Sequence, residues 1–203
     1  MLTLMGTLNS PYTRKVRLML LENNILHKFV IDLPRDIDSK IAKFNPLKRI
    51  PVLILEDGTC IFDSPVITDY IDSISESDLI PKDIFNRMLV KRWEAIADGI
   101  MDAAVQIRIE RDRKIEQQDQ LLIDKYNDAI SLALSFLDHE LHSKTFCHGS
   151  RITLADLALI SAIIYLDFRQ PERNWREQYP NIKLWYGHIY SRDSIQDSLL
   201  VCV

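Results

Sequence analysis

The spacing of apolar residues changes near residue 80, and this change limits the chain to folds that combine two kinds of structure. Up to residue 75, apolar runs of strand length alternate with helical patterns, whereas the rest of the chain shows helical patterns alone. The polar stretch 73–81, which ends in a proline, has the composition of a linker. We therefore expect a mixed α/β domain at 1–75, a linker at 76–82 and an all-helical domain at 83–203.

The first domain is predicted to follow the order β-α-β-α-β-β-α. Strands are expected at 2–6, 27–32, 52–56 and 59–62, and helices at 11–23, 39–44 and 65–74. Asp57-Gly58 lies between the last two strands and is a strong signal for a tight hairpin. A helical connection makes the first two strands parallel and the hairpin is antiparallel, so the pattern predicts a mixed sheet with helices on its faces.

The second domain is predicted to contain four helices, at 85–113, 118–142, 153–168 and 181–190. The third of these is mostly apolar and is therefore expected to be buried. Thr153 and Asp156 have the spacing of a capping box, and Ile152 and Leu157 occupy the flanking apolar positions. We interpret this motif as a structural helix start without a chemical role.

Composition excludes several classes of protein. The chain has 203 residues with 25 basic and 29 acidic side chains, a net charge of −4 that argues against a nucleic-acid-binding protein. The longest nearly apolar run, 157–166, is about half of the ~20 residues that span a membrane. The N-terminus lacks the basic region of a secretory signal. The number of cysteines is odd and their positions are scattered: they are Cys60, Cys147 and Cys202. This pattern favours a protein of the reducing cytoplasm over one held together by a disulfide framework.

Two Ser-Pro pairs, Ser10-Pro11 and Ser64-Pro65, each follow a predicted strand and open a predicted helix. Serine at the N-cap with proline at the first helical position is a favourable helix start, and capping alone would explain both pairs. The alternative is that the helix N-termini bind anions. The Ser10 hydroxyl would then stabilise a group such as a thiolate, Ser64 would suit a carboxylate, and Asp63 an ammonium.

Ile50-Pro51 precedes the third predicted strand. Proline at a strand start is usually an edge or turn residue, and about 5–6% of X–Pro bonds in folded proteins are cis, so sequence alone does not fix this bond. A cis bond would leave the backbone of Ile50 as an unpaired strand edge. An extended, peptide-like ligand could pair with such an edge.

These motifs, in their order and spacing, resemble the cytosolic glutathione S-transferase family, of the serine type. The resemblance covers nearly the whole chain and rests on segments 10–17, 45–53, 63–71 and 153–156. The run 94–103 is similar to the bacterial YibF-like branch of that family.

The resemblance implies a thioredoxin-like domain that binds glutathione, an all-helical C-terminal domain and a homodimer. Ser10 would hydrogen-bond the glutathione sulfur, and Ile50, before a cis Pro51, would pair with the cysteinyl backbone. The resemblance further implies contacts to the two ends of the tripeptide: Asp63 and Ser64 would hold the γ-glutamyl end, and Arg49 with Lys48 the glycyl carboxylate. The family often carries Glu or Gln where this chain has Asp63, whose side chain reaches less far.

The resemblance therefore predicts a cytoplasmic glutathione transferase with a role in detoxification. Its bound thiolate would attack a small, apolar electrophile, with glutathione as co-substrate and without a metal, nucleic-acid or membrane partner. The same thiolate site also suits peroxidase, dehalogenase or isomerase reactions. A second hypothesis is a glutathione-binding interaction or regulatory protein with little turnover. His139, His142, Cys147 and His148 are close in sequence, but we interpret them as surface residues and not as a metal site.

Overall fold

The computed structural model describes residues 1–199. The chain forms two compact units, of which the first contains Met1–Asp83 together with the segment that begins at Arg192. The second unit is Ile84–Ser191. Cys202, one of the three cysteines that led us to expect a reducing compartment, lies outside the described residues.

The first unit is built on a four-stranded sheet in the order β2-β1-β3-β4. Its elements are β1 (Leu2–Gly6), α1 (Pro11–Glu22), β2 (His27–Ile31), a 3-10 turn (Ile41–Lys43), β3 (Val52–Ile54), β4 (Cys60–Ile61) and α2 (Ser64–Ile74). Strand β1 pairs with β2 in parallel and with β3 in antiparallel orientation, and β3 pairs antiparallel with β4. The predicted mixed sheet is confirmed, although the helix expected at 39–44 is only a short 3-10 turn.

The two faces of this sheet bury different apolar groups. Met5 and Val52 are paired across β1 and β3, and they pack with Ile41 on one face. Because side chains alternate along a strand, the neighbouring pair Leu4 and Leu53 points to the opposite face. On that face α2 packs against β3 and against α1. Apolar side chains are thus buried on both faces of the sheet.

The hairpin between β3 and β4 turns at Asp57-Gly58, as predicted. Gly58 has φ +88°, a left-handed conformation that glycine adopts without steric cost. The turn is closed by a hydrogen bond from Leu55 N to the Thr59 carbonyl of 2.8 Å. The Asp57 carboxylate accepts a hydrogen bond from Thr59 N at 2.8 Å, and the hydrogen bonds from Thr59 lower the pKa of Asp57 below its usual value.

The second unit consists of helices alone in the part of the chain that the structure describes, as predicted. These helices are α3 (Ile84–Arg111), a 3-10 turn (Ile115–Gln117), α4 (Gln120–Glu140), α5 (Leu154–Arg169), α6 (Trp175–Gln178) and α7 (Pro180–Tyr190). Helix α3 packs against both α4 and α5. Helix α5 is buried throughout Leu154–Leu166, so it forms the centre of this unit.

The start of α5 is fixed by the predicted capping box. One carboxylate oxygen of Asp156 accepts hydrogen bonds from Thr153 N at 2.9 Å and from Thr153 Oγ1 at 3.1 Å. Its other oxygen accepts from Cys147 N at 2.8 Å and from Trp185 Nε1 at 2.9 Å. Cys147 is buried, so the expectation that it is a surface residue was wrong. Burial raises the pKa of this carboxyl above its usual value. The structural interpretation of the motif is confirmed, and Asp156 also joins α5 to α7 and to the preceding loop.

The chain ends, within the described residues, with a helix that was not predicted, α8 (Asp193–Leu199). It packs against α1 in the first unit. Arg17 donates hydrogen bonds to the carbonyls of Ser198 at 3.0 Å and Asp197 at 3.3 Å, and Arg192 pairs with Glu22 at 2.8 Å. The compact units therefore differ from the boundaries expected from sequence, which assigned all of 83–203 to the helical domain.

The segment expected as a linker, 76–82, is also part of the first unit. Leu79 and Ile80 are buried, and Ile80 N donates to the Asp72 carboxylate at 3.0 Å. The segment contains no helix or strand, as its composition indicates, but it packs like the rest of the unit.

Candidate functional site

Ser10 is the N-cap of α1, as predicted. Its Oγ accepts a hydrogen bond from Thr13 N at 3.2 Å, and Pro11 is in the first turn. Within residues 1–199 the structure records no acceptor for the hydroxyl hydrogen. A serine whose oxygen is fixed by a backbone N–H retains an O–H that can donate to a ligand, and the helix N-terminus around it favours negative charge.

A close contact between β1 and α1 positions Ser10. A Cβ atom added to Gly6 would lie 2.4 Å from Thr13 Oγ1, so only glycine allows this approach of the end of β1 to the first turn of α1. Buried Arg14 donates to the Leu8 carbonyl at 3.0 Å and holds the intervening loop. The Ser10 hydroxyl therefore has a fixed location beside the end of the sheet.

The sheet register brings the three predicted motifs to one end of the sheet. Met5 lies opposite Val52, so Ile50-Pro51, which precedes Val52, extends past the same end of β1 from which the chain leads to Ser10. Leu53 lies opposite Ile61, and the chain then continues to Asp63 at that end. Ser10, Ile50 and Asp63 are far apart in sequence and share this edge because of the strand directions.

The Ile50–Pro51 peptide bond is cis, and so is Phe62–Asp63. The pairing of β3 with β1 begins at Val52, so neither backbone group of Ile50 belongs to that ladder. Asn45, which is buried, supports the approach to Ile50: its Nδ2 donates to the Arg49 carbonyl at 2.9 Å, and its Oδ1 accepts from Leu47 N at 2.9 Å. Sequence reasoning assigned Asn45 no role of its own.

Lys48 and Arg49 lie in the exposed loop that Asn45 holds. Lys48 has φ +52°, and its backbone N donates to the Asn45 carbonyl at 2.9 Å. The loop therefore places two cations directly before Ile50. Their position suits an anionic group at one end of an extended ligand.

The start of α2 differs from the prediction. Asp63, and not Ser64, is the N-cap: its carboxylate accepts a hydrogen bond from Ser64 N, and Ser64 is the first residue of the helix. The expectation of Ser64 as the cap was wrong because an aspartate one residue earlier competes for that position. The Ser64 side chain is consequently not used in capping. Its buried Oγ has no hydrogen-bond partner within the described part of the chain.

These groups fit a peptide that carries both carboxylate and thiol groups. Buried hydroxyls are usually hydrogen-bonded, so the unpartnered Ser64 Oγ is suited to a polar group of a ligand. The same end of the sheet offers the Ser10 O–H, the Ile50 backbone and the Asp63 carboxylate. Among residues 1–199, the structure contains no group of three His, Cys, Asp or Glu side chains arranged to hold a metal. None of the helices described is both long and apolar enough to cross a membrane.

Comparison with known families matches both parts of the chain. The family model described as Glutathione S-transferase, N-terminal domain matches residues 9–74, and the one described as Glutathione S-transferase, C-terminal domain matches residues 120–188. Together these matches cover the candidate site and most of the helical unit.

Individual proteins extend the similarity to nearly the whole chain. The Uncharacterized GST-like protein YibF of Escherichia coli K12 is 34% identical over 94% of this chain and 95% of its own length. The structure of a glutathione S-transferase from Methylobacillus flagellatus KT with glutathione bound has a TM-score of 0.96 at 36% identity, covering 99% of this chain and all of that one. A glutathione transferase family member from Pseudomonas fluorescens Pf-5, with bound S-(propanoic acid)-glutathione, has a TM-score of 0.85 at 34% identity over 99% of this chain and 100% of that one.

The mixed four-stranded sheet followed by a helical unit is the architecture of these structures. The chain therefore belongs to the glutathione S-transferase family.

Proposed function

We propose that this protein is a serine-type glutathione transferase in which Ser10 hydrogen-bonds and stabilises the glutathione thiolate for attack on a small electrophile. The observation that carries the proposal is the geometry of Ser10: its Oγ accepts from Thr13 N at 3.2 Å at the N-terminus of α1. This arrangement leaves the hydroxyl hydrogen for an anion beside the positive end of the helix.

The energy that such a site must supply is modest. A thiol with a pKa of about 8.5 is only a few per cent ionised at pH 7, and half-ionisation there requires a stabilisation of about 2 kcal/mol. One hydrogen bond to a charged group contributes about 1.5–3 kcal/mol, and a helix N-terminus about 0.3–1 kcal/mol. These two contributions suffice, so Ser10 need not act as a nucleophile or a base. The attacking atom is the glutathione sulfur.

Recognition of glutathione would use the other groups at this end of the sheet. The backbone of Ile50, outside the β3 ladder, would pair with the cysteinyl residue. The Ser64 hydroxyl would bind the γ-glutamyl carboxylate, and Asp63, whose carboxylate already caps α2, would also bind the γ-glutamyl ammonium. Arg49 and Lys48 would bind the glycyl carboxylate.

Conjugation is the reaction that we favour for this thiolate. The ligand bound to the Pseudomonas fluorescens relative, S-(propanoic acid)-glutathione, is a thioether of glutathione and so has the form of a conjugation product. From sequence we expect the electrophile itself to be small and apolar. The thiolate attacks its electrophilic carbon, a carbon–sulfur bond forms, and the leaving group departs with the electron pair of its former bond.

A second copy of the chain is the proposed protein partner. Helices α3 and α4 expose large apolar side chains, which a homodimer interface would cover. They include Phe85 and Met88 on α3, and Leu132 and Phe136 on α4. We also propose a cytoplasmic location, since Cys60 and Cys147 are both free thiols in the structure.

The test compares wild type, Ser10→Ala and Ser10→Thr. The pKa of the bound glutathione thiol is followed by its thiolate absorbance, and conjugation is assayed with a panel of neutral electrophiles. We expect Ser10→Ala to raise that pKa by about 1–2 units and to lower kcat/KM about 10- to 100-fold, because one charge-assisted hydrogen bond is lost. Ser10→Thr keeps the hydroxyl and should resemble wild type.

Three outcomes contradict parts of the proposal. An unchanged thiol pKa in Ser10→Ala would exclude the role of Ser10. Glutathione binding without turnover of any electrophile would favour an interaction protein. A protein that is not retained on immobilised glutathione would exclude both functions.

A further inference from the structure

A pocket in the helical unit lies between the C-terminal ends of α3 and α5. It has a volume of about 190 Å³, and α3 contributes Ala104, Ile107, Arg108 and Arg111, while Phe168 and Arg169 come from the end of α5. The α3 residues recur at intervals of three and four and therefore share one helix face. A cavity of about 150 Å³ can hold a benzene ring, so this one has room for a ligand of that size.

The lining of this pocket is strongly basic. It includes three arginines, whereas Asp112 supplies a single carboxylate among the described lining residues. Arg108 pairs with Asp112 at 2.7 Å, and Arg111 pairs with Glu172 at 3.1 Å. Arg169 makes no ion pair with any residue in the range 1–199. One positive charge at the pocket therefore lacks a counter-charge.

Arg169 is held by aromatic rings in place of a carboxylate. Its guanidinium group lies 4.2 Å from the centre of the Phe168 ring and 5.7 Å from that of Tyr165. Its Nε is buried and has no hydrogen-bond partner among the described residues. Buried arginine nitrogens are normally hydrogen-bonded, and the planar guanidinium fork matches a carboxylate.

Stabilisation of the helix ends explains only part of this arrangement. Cations near a helix C-terminus are favourable, and Arg108, Arg111 and Arg169 all lie in last turns. However, other groups already bind carbonyls at these ends: Gln118 Nε2 donates to the Arg111 carbonyl at 3.2 Å, and Gln170 N to that of Leu166 at 2.7 Å. The helix dipole does not account for a concave site with an unpartnered guanidinium nitrogen.

We propose that this pocket binds a small organic carboxylate with an apolar body about the size of one ring. The carboxylate would pair with the guanidinium groups of Arg169 and Arg111, and the apolar body would contact Ala104, Ile107 and Phe168. This binding belongs to the helical unit and does not require glutathione, so it stands or falls independently of the transferase reaction.

The experiment uses the full-length protein without glutathione. Binding of 4-fluorobenzoate is measured by fluorine NMR and by calorimetry, with 4-fluorobenzamide as a neutral ligand of the same shape. We expect saturable binding of the benzoate with a Kd below about 1 mM, and binding of the benzamide at least about tenfold weaker. Inorganic phosphate should displace 4-fluorobenzoate less effectively than unlabelled benzoate does, because phosphate has no apolar body to bury.

Variants assign the binding to the pocket. Arg169→Gln should weaken benzoate binding about tenfold or more, and Arg111→Gln should weaken it by several-fold, since each removes a charged donor. Arg92→Gln is the matched control: Arg92 also lies over a phenylalanine ring, that of Phe136, and pairs with Glu140, but it is not part of the pocket lining. This control should bind benzoate like wild type. Circular dichroism establishes that each variant is folded.

Several results would overturn the proposal. These are the absence of saturable benzoate binding, equal binding of the benzamide, stronger competition by phosphate, or benzoate affinity unaffected in both Arg169→Gln and Arg111→Gln. If Arg169→Gln does not fold, the Arg111→Gln result decides. Loss of glutathione conjugation, by contrast, would leave this conclusion unchanged.

Discussion

Two serines at this site have different surroundings, and the difference determines what each can do. Ser10 Oγ is fixed by Thr13 N, whereas Ser64 Oγ is buried without a partner among the described residues. Removal of the first hydroxyl costs a helix cap as well as the proposed contact to glutathione. Removal of the second costs no hydrogen bond within the protein, so its effect reports on the ligand alone.

Ser64→Ala should therefore weaken glutathione binding without lowering stability. We expect the Kd for glutathione to rise about 10- to 100-fold, because the proposed hydrogen bond from Ser64 to the γ-glutamyl carboxylate is lost. The melting temperature of the ligand-free protein should stay the same or rise, because an unsatisfied buried hydroxyl is removed. Calorimetric titration and thermal unfolding measure the two effects.

Thr68→Val is the matched control on the same helix. Thr68 is also buried, but its Oγ1 donates to the Pro65 carbonyl at 2.9 Å. This substitution should lower stability by about 1 kcal/mol and leave glutathione affinity unchanged. A stability loss in Ser64→Ala as large as that in Thr68→Val would contradict our interpretation of Ser64.

The roles of some individual site residues could be predicted from the sequence, whereas those of others could not. Asn9-Ser10 and Asp63-Ser64 each place two capping residues before a proline. The cap is the second residue, Ser10, in the first pair and the first residue, Asp63, in the other, so local sequence does not decide which of the two caps the helix. Asn45 was missed because its contacts, to Arg49 and Leu47, depend on the path of the loop.

Among the secondary-structure elements, α5 shows how one side chain can organise several segments. Asp156 accepts hydrogen bonds from the loop at Cys147, from the helix start at Thr153 and from Trp185 on α7. Asp156→Ala would leave these buried donors without an acceptor. We expect it to lower the free energy of unfolding by about 3 kcal/mol or more, measured by urea denaturation.

Thr153→Ala distinguishes the network from the cap alone. It removes one capping side chain and keeps the Asp156 carboxylate, so its cost should be about 1 kcal/mol. Equal losses for Thr153→Ala and Asp156→Ala would show that the bonds to Cys147 and Trp185 contribute little to stability.

The β3–β4 hairpin contributes to the stability of the folded protein in a pH-dependent way, and this contribution can be measured separately. Hydrogen bonds from Thr59 lower the pKa of Asp57 in the native state below its usual value of 3.8. The folded protein therefore binds this proton less readily than the unfolded chain, and the ionised form stabilises the hairpin. That stabilisation is complete above the unfolded pKa and is lost as the pH falls through the native pKa.

Asp57→Asn tests this assignment because it keeps a good turn residue and removes the titration. Urea midpoints of wild type and variant are compared from pH 7 down to about pH 2, through the range where carboxyl groups titrate. Wild type should be the more stable protein at neutral pH, and the difference should diminish at acid pH. A difference that is constant over this range would exclude Asp57 as its source.

The elements that sequence predicted well are those with a strong local signal. Strand β1 has the bounds that were predicted for it, Leu2–Gly6, and the Asp57-Gly58 turn has its own sequence signature. Helix α6 has four residues, too few for a periodic pattern, and α8 is short and mostly polar. The packing of α8 depends on Arg17 and Glu22, which are far away in sequence.

At the scale of the whole molecule, α8 packs the C-terminal part of the described chain against α1, the helix that Ser10 caps. Arg17→Ala removes both hydrogen bonds to the last carbonyls of α8, a loss of about 1–2 kcal/mol. We expect amide hydrogen exchange in α8 to become about tenfold faster, while exchange in α4 and α5 stays the same. Mass spectrometry after deuterium labelling measures both.

Lys28→Ala is the control, since Lys28 is an exposed cation on β2 of the same unit. It should not alter exchange in α8. If Arg17→Ala also leaves exchange in α8 unchanged, other contacts hold this helix, and the Glu22 pair with Arg192 becomes the first candidate.

The return of the chain at Arg192 has a consequence for synthesis on the ribosome. Ile84–Ser191 is encoded between the two parts of the first unit, so the helical unit is translated in full before α8 is available. During elongation α1 is synthesised before α8. The surface of α1 that α8 covers therefore stays exposed until α8 leaves the exit tunnel. A nascent chain stalled before codon 192 should thus stay bound to a ribosome-associated chaperone for longer than a nascent chain that also includes α8.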